Sequence, residues 1–428
     1  MTPKVTLPQS RMAVGDSDVA AKSAAPRFLP YGRQSINELD IRAVSGVLTS
    51  DWLTQGPTIP AFEKALAEAV GADYAVACAN GTAALHLSML ALGVGPGDKV
   101  VTTPITFMAD ANCARYVGAD VVFADIDQDT ACMSPDALEQ VLRADQDKKI
   151  KAVIPVHFAG QPADLSRIHE LSKAHGAAVV GDACHAIGGA YTEGAKRYRL
   201  GGSPHADMTV FSFHPVKHVA AGEGGAIVTD RTDLAEALQR FRNHGIERTE
   251  FINKDMGYTE SGEPNPWYHE LQVLGFNYRL SDIHAALGLS QLGRLRGSIE
   301  RRRQIAAIYR TLLAETFADQ SVRPLVDREG YTNVYHLFVV LIDFAKFGIG
   351  RAEVMNRLKE RNIGTQVHYI PIHLQPYYRS LYGTGPGDFP NAENYYGQAL
   401  SLPMYPDLED GEIVRVVENL HSILTRRS

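Results

Sequence analysis

Two residues of this sequence have the types and settings for chemistry between an amine and a carbonyl. Asp182 lies in Gly181-Asp182-Ala183-Cys184-His185-Ala186, and Lys217 ends Phe211-Ser212-Phe213-His214-Pro215-Val216-Lys217. A lysine amine can hold an aldehyde as a Schiff base, and a carboxylate can keep a pyridine nitrogen protonated so that the ring accepts electrons from a substrate carbanion. That pairing is what pyridoxal 5′-phosphate (PLP) requires of a protein. Asp182 follows the apolar run Ala177-Ala178-Val179-Val180, which places it at the carboxyl end of a strand, where ligands of open α/β sheets bind. Lys217 follows the next predicted strand, and Gly222-Glu223-Gly224-Gly225 after it permits close approach of backbone to a ligand. Singly, the lysine reads as a loop residue and the aspartate as a strand-end cap. Acid, hydroxyl, lysine and glycine-rich turn together favour the chemical reading.

The elements that must position this pair are legible as alternation. Tyr74 to Cys78 reads as a strand, Asn80-Gly81 as a turn and Thr82 to Leu92 as a helix; similar units follow at Lys99 to Thr103 with Ala109 to Val117, Asp120 to Phe123 with Pro135 to Arg143, and Ala152 to Val156 with Leu165 to His175. Strands at Ala177 to Val180, Met208 to Phe213 and Gly225 to Thr229, the last leading into a helix near Leu234 to Phe241, complete a mostly parallel sheet covered by helices, an α/β class. Beyond a helical stretch from Ser281 to Ile305, strand-like Val334 to Ile342 and helices at Arg351 to Arg361 and Asp410 to Leu424 suggest a smaller α+β domain. The expected division is a flexible leader over 1–26, a large PLP-binding domain over 27–290 and a small C-terminal domain over 291–428.

Composition narrows the setting. The 428 residues are 45% hydrophobic and 21% charged with a formal charge of −7, the balance of a folded globular protein. The basic run after Glu300, Arg301 to Arg303, reads as a solvated helix face, so nucleic acid is not an expected partner. Cys78, Cys113, Cys132 and Cys184 lack the short paired spacing of zinc sites, and no metal is expected. Without a long apolar stretch or an apolar signal core in Met1 to Ala25, no membrane association is expected and the reading is cytoplasmic.

The run Gly181 to Ala186, then Phe211 to His214 with Lys217, then Gly222 to Gly225, resembles the DegT/DnrJ/EryC1/StrS sugar aminotransferase family from about Phe28 to the C-terminus. The resemblance implies the aspartate aminotransferase fold, PLP fold type I, with catalytic Lys217 on the cofactor's aldehyde carbon and catalytic Asp182 on its pyridine nitrogen. It also implies that Thr82 and Ala83, at a helix N-terminus, and Ser212 hold the phosphate, that Phe107 stacks on the ring, and that His185 lies near the ring oxygen. Asn277, in Gly275-Phe276-Asn277-Tyr278-Arg279-Leu280, matches an asparagine donated by the neighbouring subunit, implying a homodimer with shared active sites. Relatives that replace the lysine with histidine become sugar dehydratases; here Lys217 is present.

Within the family, Leu53 to Pro57, Phe276 to Ile283 and above all Gln366 to Tyr378 resemble the aminotransferases of pseudaminic acid biosynthesis. That likeness implies a substrate site of Tyr31, Asp51, Trp52, Leu53, Thr54, Asn80, Gln366, Val367, His368 and Tyr369. The nucleotide-linked keto-sugar would be UDP-4-keto-6-deoxy-N-acetyl-β-L-altrosamine, and the amino donor L-glutamate. Rival readings are an aminotransferase for a dTDP-keto-6-deoxyhexose or UDP-4-keto-arabinose, and a non-catalytic PLP-binding regulator. A nicotinamide-dependent enzyme is disfavoured because no Gly-x-Gly-x-x-Gly follows a strand.

Overall fold

The computed structural model describes residues 26–425, so the leader expected over 1–26 lies, but for Pro26, outside the described residues. Seven strands form the central sheet in the order Tyr74–Cys78, Gly225–Thr229, Met208–Ser212, Ala178–Asp182, Ile150–Val153, Lys99–Thr102, Asp120–Phe123. Gly225–Thr229 runs antiparallel to both neighbours, and every other adjacent pair is parallel. Such a sheet is covered on both faces, which is why its strands read as unbroken apolar runs: Gly225–Thr229 is buried at all five positions. Helix Gly81–Ala91 is apolar nearly all round because it is wedged between the sheet and helices Ala109–Tyr116 and Thr232–Arg242.

A second core packs a three-stranded antiparallel sheet, ordered Val322–Pro324, Phe338–Ile342, Ala399–Leu402, against helices Leu295–Thr316, Arg351–Glu360 and Asp410–Thr425. The helical stretch expected from Ser281 to Ile305 is two helices, Asp282–Leu292 and Leu295–Thr316, the first capped by Ser281. The strand expected from Val334 starts only at Phe338, because the amides of Val334 and Leu337 donate instead to the carbonyls of Gly160 and Ala159. A hairpin, Ala190–Glu193 with Lys196–Arg199, was not anticipated. Among the described residues no helix is long and apolar enough to cross a membrane.

Packing shows where two segments lie. Residues after 26, assigned to the large domain, begin on the C-terminal core: Leu29 is fully buried there beside Ile305 and Ile363, and its amide donates to the Asn362 carbonyl at 2.9 Å. The basic run is not wholly solvated either. Arg302 is 1% exposed, and its Nη1 donates to the carbonyls of Tyr335, His336 and Met404 at 3.1, 3.3 and 3.0 Å. Burial lowers its guanidinium to about 10. The guanidinium satisfies three buried carbonyls that have to be paired somewhere.

Arg302→Met should therefore lower stability by about 3 kcal/mol, since each orphaned buried polar group costs about 1–3 kcal/mol. Exposed Arg303→Met should shift it by less than about 0.5 kcal/mol. Urea unfolding of the two variants checks the difference; equal midpoints would remove the structural role given to Arg302.

Candidate active site

The register of three strands brings the chemistry together. Asp182 pairs with Val210, so Ser212 ends the neighbouring strand just beyond it; Ser212 and Cys78 both pair with Gly225. Three strand ends thus meet at one glycine. A Cβ on Gly225 would lie 2.4 Å from the backbone carbon of Asn80, so a side chain there would displace the turn that opens helix Gly81–Ala91. On Gly81, a Cβ would already meet the Ser212 Cβ at 3.0 Å.

Above these ends opens a cavity of about 570 Å³. Its wall brings together Tyr31, Asn80, Thr82, Phe107, Asp182, His185, Ser212, Lys217, Gln366, Val367, His368 and Tyr369, all singled out from the sequence. It also includes Asp110, Thr106, His336 and Gln375, which were not. The His336 ring lies tilted against that of His185, with centroids 4.4 Å apart. Its position in a run that reads as strand gave no sign of this. Asp110 reads only as an acidic residue at a helix start.

Not every expected residue reaches the cavity. Ala83 is off its wall, and its amide donates to the Asn80 side chain at 2.8 Å as part of the helix cap. The amides of Gly81 and Thr82, which have no intrahelical acceptor, are the ones left for an anion. Asp51, Trp52, Leu53 and Thr54 lie on an exposed segment away from this chain's own cavity. Buried Asp282 fixes that segment: its carboxylate accepts from the amides of Gly56 and Thr58 at 2.8 and 3.0 Å, and its own amide donates to the Leu53 carbonyl. Asn277 is also exposed and does not line this chain's cavity; its backbone bridges to Asn243.

Asp182 is buried, and its Oδ1 accepts from the Cys184 amide at 2.8 Å. Lys217 keeps partial exposure toward the cavity while the surrounding protein strips water from its amine. That burial lowers its pKa, against the pull of Cys184, Asp182 and Asp110 toward the ammonium. His185 is held well below the ordinary histidine value, first by burial and then by Lys217, His368 and His218. Its Nε2 lies 3.1 Å from the Tyr369 hydroxyl, whose pKa burial raises well above the usual phenol value. His368 is lowered to about 3 by burial, with Lys217 adding to the shift.

A lysine amine shifted toward its neutral form by burial, a buried carboxyl group and the amide end of a helix on one cavity match the three demands of PLP: an aldehyde partner, a pyridine-nitrogen partner and a phosphate cradle. Gly81 set against Ser212 leaves that cradle open to a close-fitting group. Comparison with known proteins gives the same answer: residues 34–421 match the DegT/DnrJ/EryC1/StrS aminotransferase family.

The chain belongs to this family. It is a PLP-dependent sugar aminotransferase with fold type I. It is 40% identical over 398 residues to the spore coat polysaccharide biosynthesis protein SpsC of Bacillus subtilis, covering 93% of this chain and 97% of SpsC. Among solved structures it resembles Helicobacter pylori PseC, an aminotransferase involved in pseudaminic acid biosynthesis, with a TM-score of 0.81, 29% identity and coverage of 93% and 99%. It also resembles the PLP form of the putative sugar aminotransferase Spr1654 of Streptococcus pneumoniae, with a TM-score of 0.80, 27% identity and coverage of 93% and 98%.

The lowered pKa of Lys217 has a thermodynamic sign. In the cofactor-free aminotransferase, the unfolded lysine binds a proton more readily than the folded one. The resulting penalty is full below the folded pKa and fades as pH rises to the ordinary 10.5. Lys217→Met should therefore melt higher than the parent cofactor-free protein at pH 7, with the gap closing toward pH 10.5. A pH series of melting temperatures checks it, and a gap independent of pH would contradict burial of a neutral amine.

Proposed function

We propose that this aminotransferase moves an amino group from L-glutamate to the C4 keto group of UDP-4-keto-6-deoxy-N-acetyl-β-L-altrosamine. The observation carrying this reading is the segment Gln366-Val367-His368-Tyr369 on the wall opposite the strand ends, in a chain that parallels PseC over 93% of its length. Polar and aromatic groups there suit a sugar and a uracil ring, which need hydrogen bonds together with flat apolar contact.

Bound PLP supplies an electrophilic carbon and a ring that accepts electrons. The chain does the rest. In this reading Lys217 Nζ accepts the α-proton of the donor in one half-reaction and delivers a proton to the sugar carbon in the other, work that needs the amine neutral. Asp182, with Oδ1 tied to the Cys184 amide, would hold the ring nitrogen. Thr82 and Ser212 would hold the phosphate at the helix end, completed by Asn277 of the partner subunit in a homodimer. Its exposed position, away from its own cavity, supports that assignment. Phe107, 53% exposed at the cavity mouth, would cover the ring, and His185 would lie by its oxygen. Tyr31 and His368, whose rings are 5.3 Å apart, would form an apolar wall for the sugar nucleotide.

The stronger identity to SpsC favours a second reading, in which the acceptor is another nucleotide-linked 3- or 4-keto sugar destined for a surface polysaccharide.

Absorbance of the loaded enzyme separates the two. The visible band should bleach with glutamate and return on adding the UDP-4-keto-altrosamine, with ping-pong kinetics, while Lys217→Ala neither forms the parent band nor turns over. Bleaching with no return, but recovery with a dTDP-4-keto-6-deoxyhexose or UDP-4-keto-arabinose, would replace the first reading by the second.

A further inference from the structure

Asp110 is a second carboxyl in the cavity that the reaction just described does not use. It lies in the first turn of helix Ala109–Tyr116 and is 1% exposed. Its Oδ2 accepts from the Thr106 hydroxyl, its Oδ1 accepts from no donor, and its side chain lies within hydrogen-bonding reach of Asp182. Two carboxylates so close in a dry site cannot both ionise. Asp182 has one oxygen held by the Cys184 amide and lone pairs to spare, so it can accept a further proton donor.

We propose that Asp110 is a positioning residue, a protonated carboxylic acid whose Oδ1–H donates to the Asp182 carboxylate and holds it toward the cofactor's ring nitrogen. Charge decides which partner carries the proton. Asp182 has the Cys184 amide to stabilise an anion, whereas Asp110 has one hydroxyl. The ionisable groups facing Asp110 are Asp182 at the strand end, Lys217, Cys113 on its own helix, Cys184, and Tyr369 from the opposite wall. Burial and then Asp182 raise the Asp110 carboxyl well above its ordinary value. Lys217 acts the other way but comes last among the causes. The helix N-terminus also favours an anion, but such dipole effects are weaker than the penalty of a second buried charge. With Asp110 neutral, one negative charge remains to match the protonated ring.

The inference rests on Asp182 serving the ring nitrogen, yet the protonation state can be read without the cofactor. Infrared spectra of the cofactor-free protein at pH 8 should show a protonated-carboxyl C=O stretch that Asp110→Asn abolishes. Asparagine keeps a neutral donor, so Asp110→Asn should bind PLP within about twofold of the parent, while Asp110→Ala should weaken binding about tenfold or more and shift the pH profile of the visible band. Absence of the stretch, or its persistence in Asp110→Asn, would overturn the proposal. So would an asparagine variant as impaired as the alanine one. If the alanine variant does not fold, the stretch and the asparagine affinity still decide. A stretch assigned to Asp110 together with PLP binding indifferent to both variants would place the fault in the role given to Asp182.

Discussion

The cavity depends on drawing water away from one lysine amine that shares its wall with a carboxyl group. An opposite charge nearby favours the ammonium, whereas loss of water favours the free amine, and the two effects act on Lys217 together. Loss of water prevails: the Lys217 pKa falls although Asp182 opposes the shift. A cationic neighbour could have done the same, but the imidazoles around it are neutral. His185, His218, His336 and His368 are each held below the ordinary value, burial being the largest cause in every case. Dryness therefore sets the direction of the shift, and every group that seals the cavity contributes to it.

That dryness follows from how the sheet ends. Parallel strands covered on both faces leave their carboxyl ends as the open edge, and Asp182 and Ser212 sit there on adjacent strands. Gly225–Thr229, the antiparallel strand, enters the sheet at the point where its two neighbours finish, which closes the floor between Asn80 and Ser212. Gly225 makes this closure possible, because the Asn80 backbone occupies the space a Cβ would need. The glycine-rich turn after Lys217 thus serves packing as directly as it serves ligand approach.

Strand-end residues were legible in the sequence because a buried parallel strand announces itself as an apolar run, and Asp182 and Lys217 stand in fixed relation to such runs. Residues brought in by long-range packing were not. His336 and Arg302 are decided by where loop 334–337 turns back on Gly160, which no local pattern encodes. Arg302 in particular sits among arginines that look alike in sequence, and only one of them faces three carbonyls. The segment Asp51 to Thr54 is held by Asp282, more than two hundred residues away in the chain. Asp110 was hidden for another reason: an acid in a first helical turn is usually explained by the helix alone.

The two walls of the cavity are held by different sheets. The wall with Asp182, Ser212 and Asn80 belongs to the central sheet, while Gln366 to Tyr369 is tied to the C-terminal sheet. Gln366 and Ser401 exchange backbone hydrogen bonds, His368 Nδ1 lies 2.8 Å from Ser401 Oγ, and the Tyr395 hydroxyl donates to the His368 carbonyl at 2.6 Å. The walls also meet closely, through Tyr369 with His185 and Phe158, the Ile372 amide with the Pro104 carbonyl, and a shared apolar cluster that joins Val101 and Val153 to Val339 and Leu341. The Ser401 anchor thus sets the Gln366 to Tyr369 side of the cavity apart from the strand register that sets Asp182 and Ser212. Solved structures only 27–29% identical over 93% of this chain share its fold. Strand register alone therefore says little about the Gln366 to Tyr369 side, where Ser401 anchors the segment that lines the cavity with Lys217.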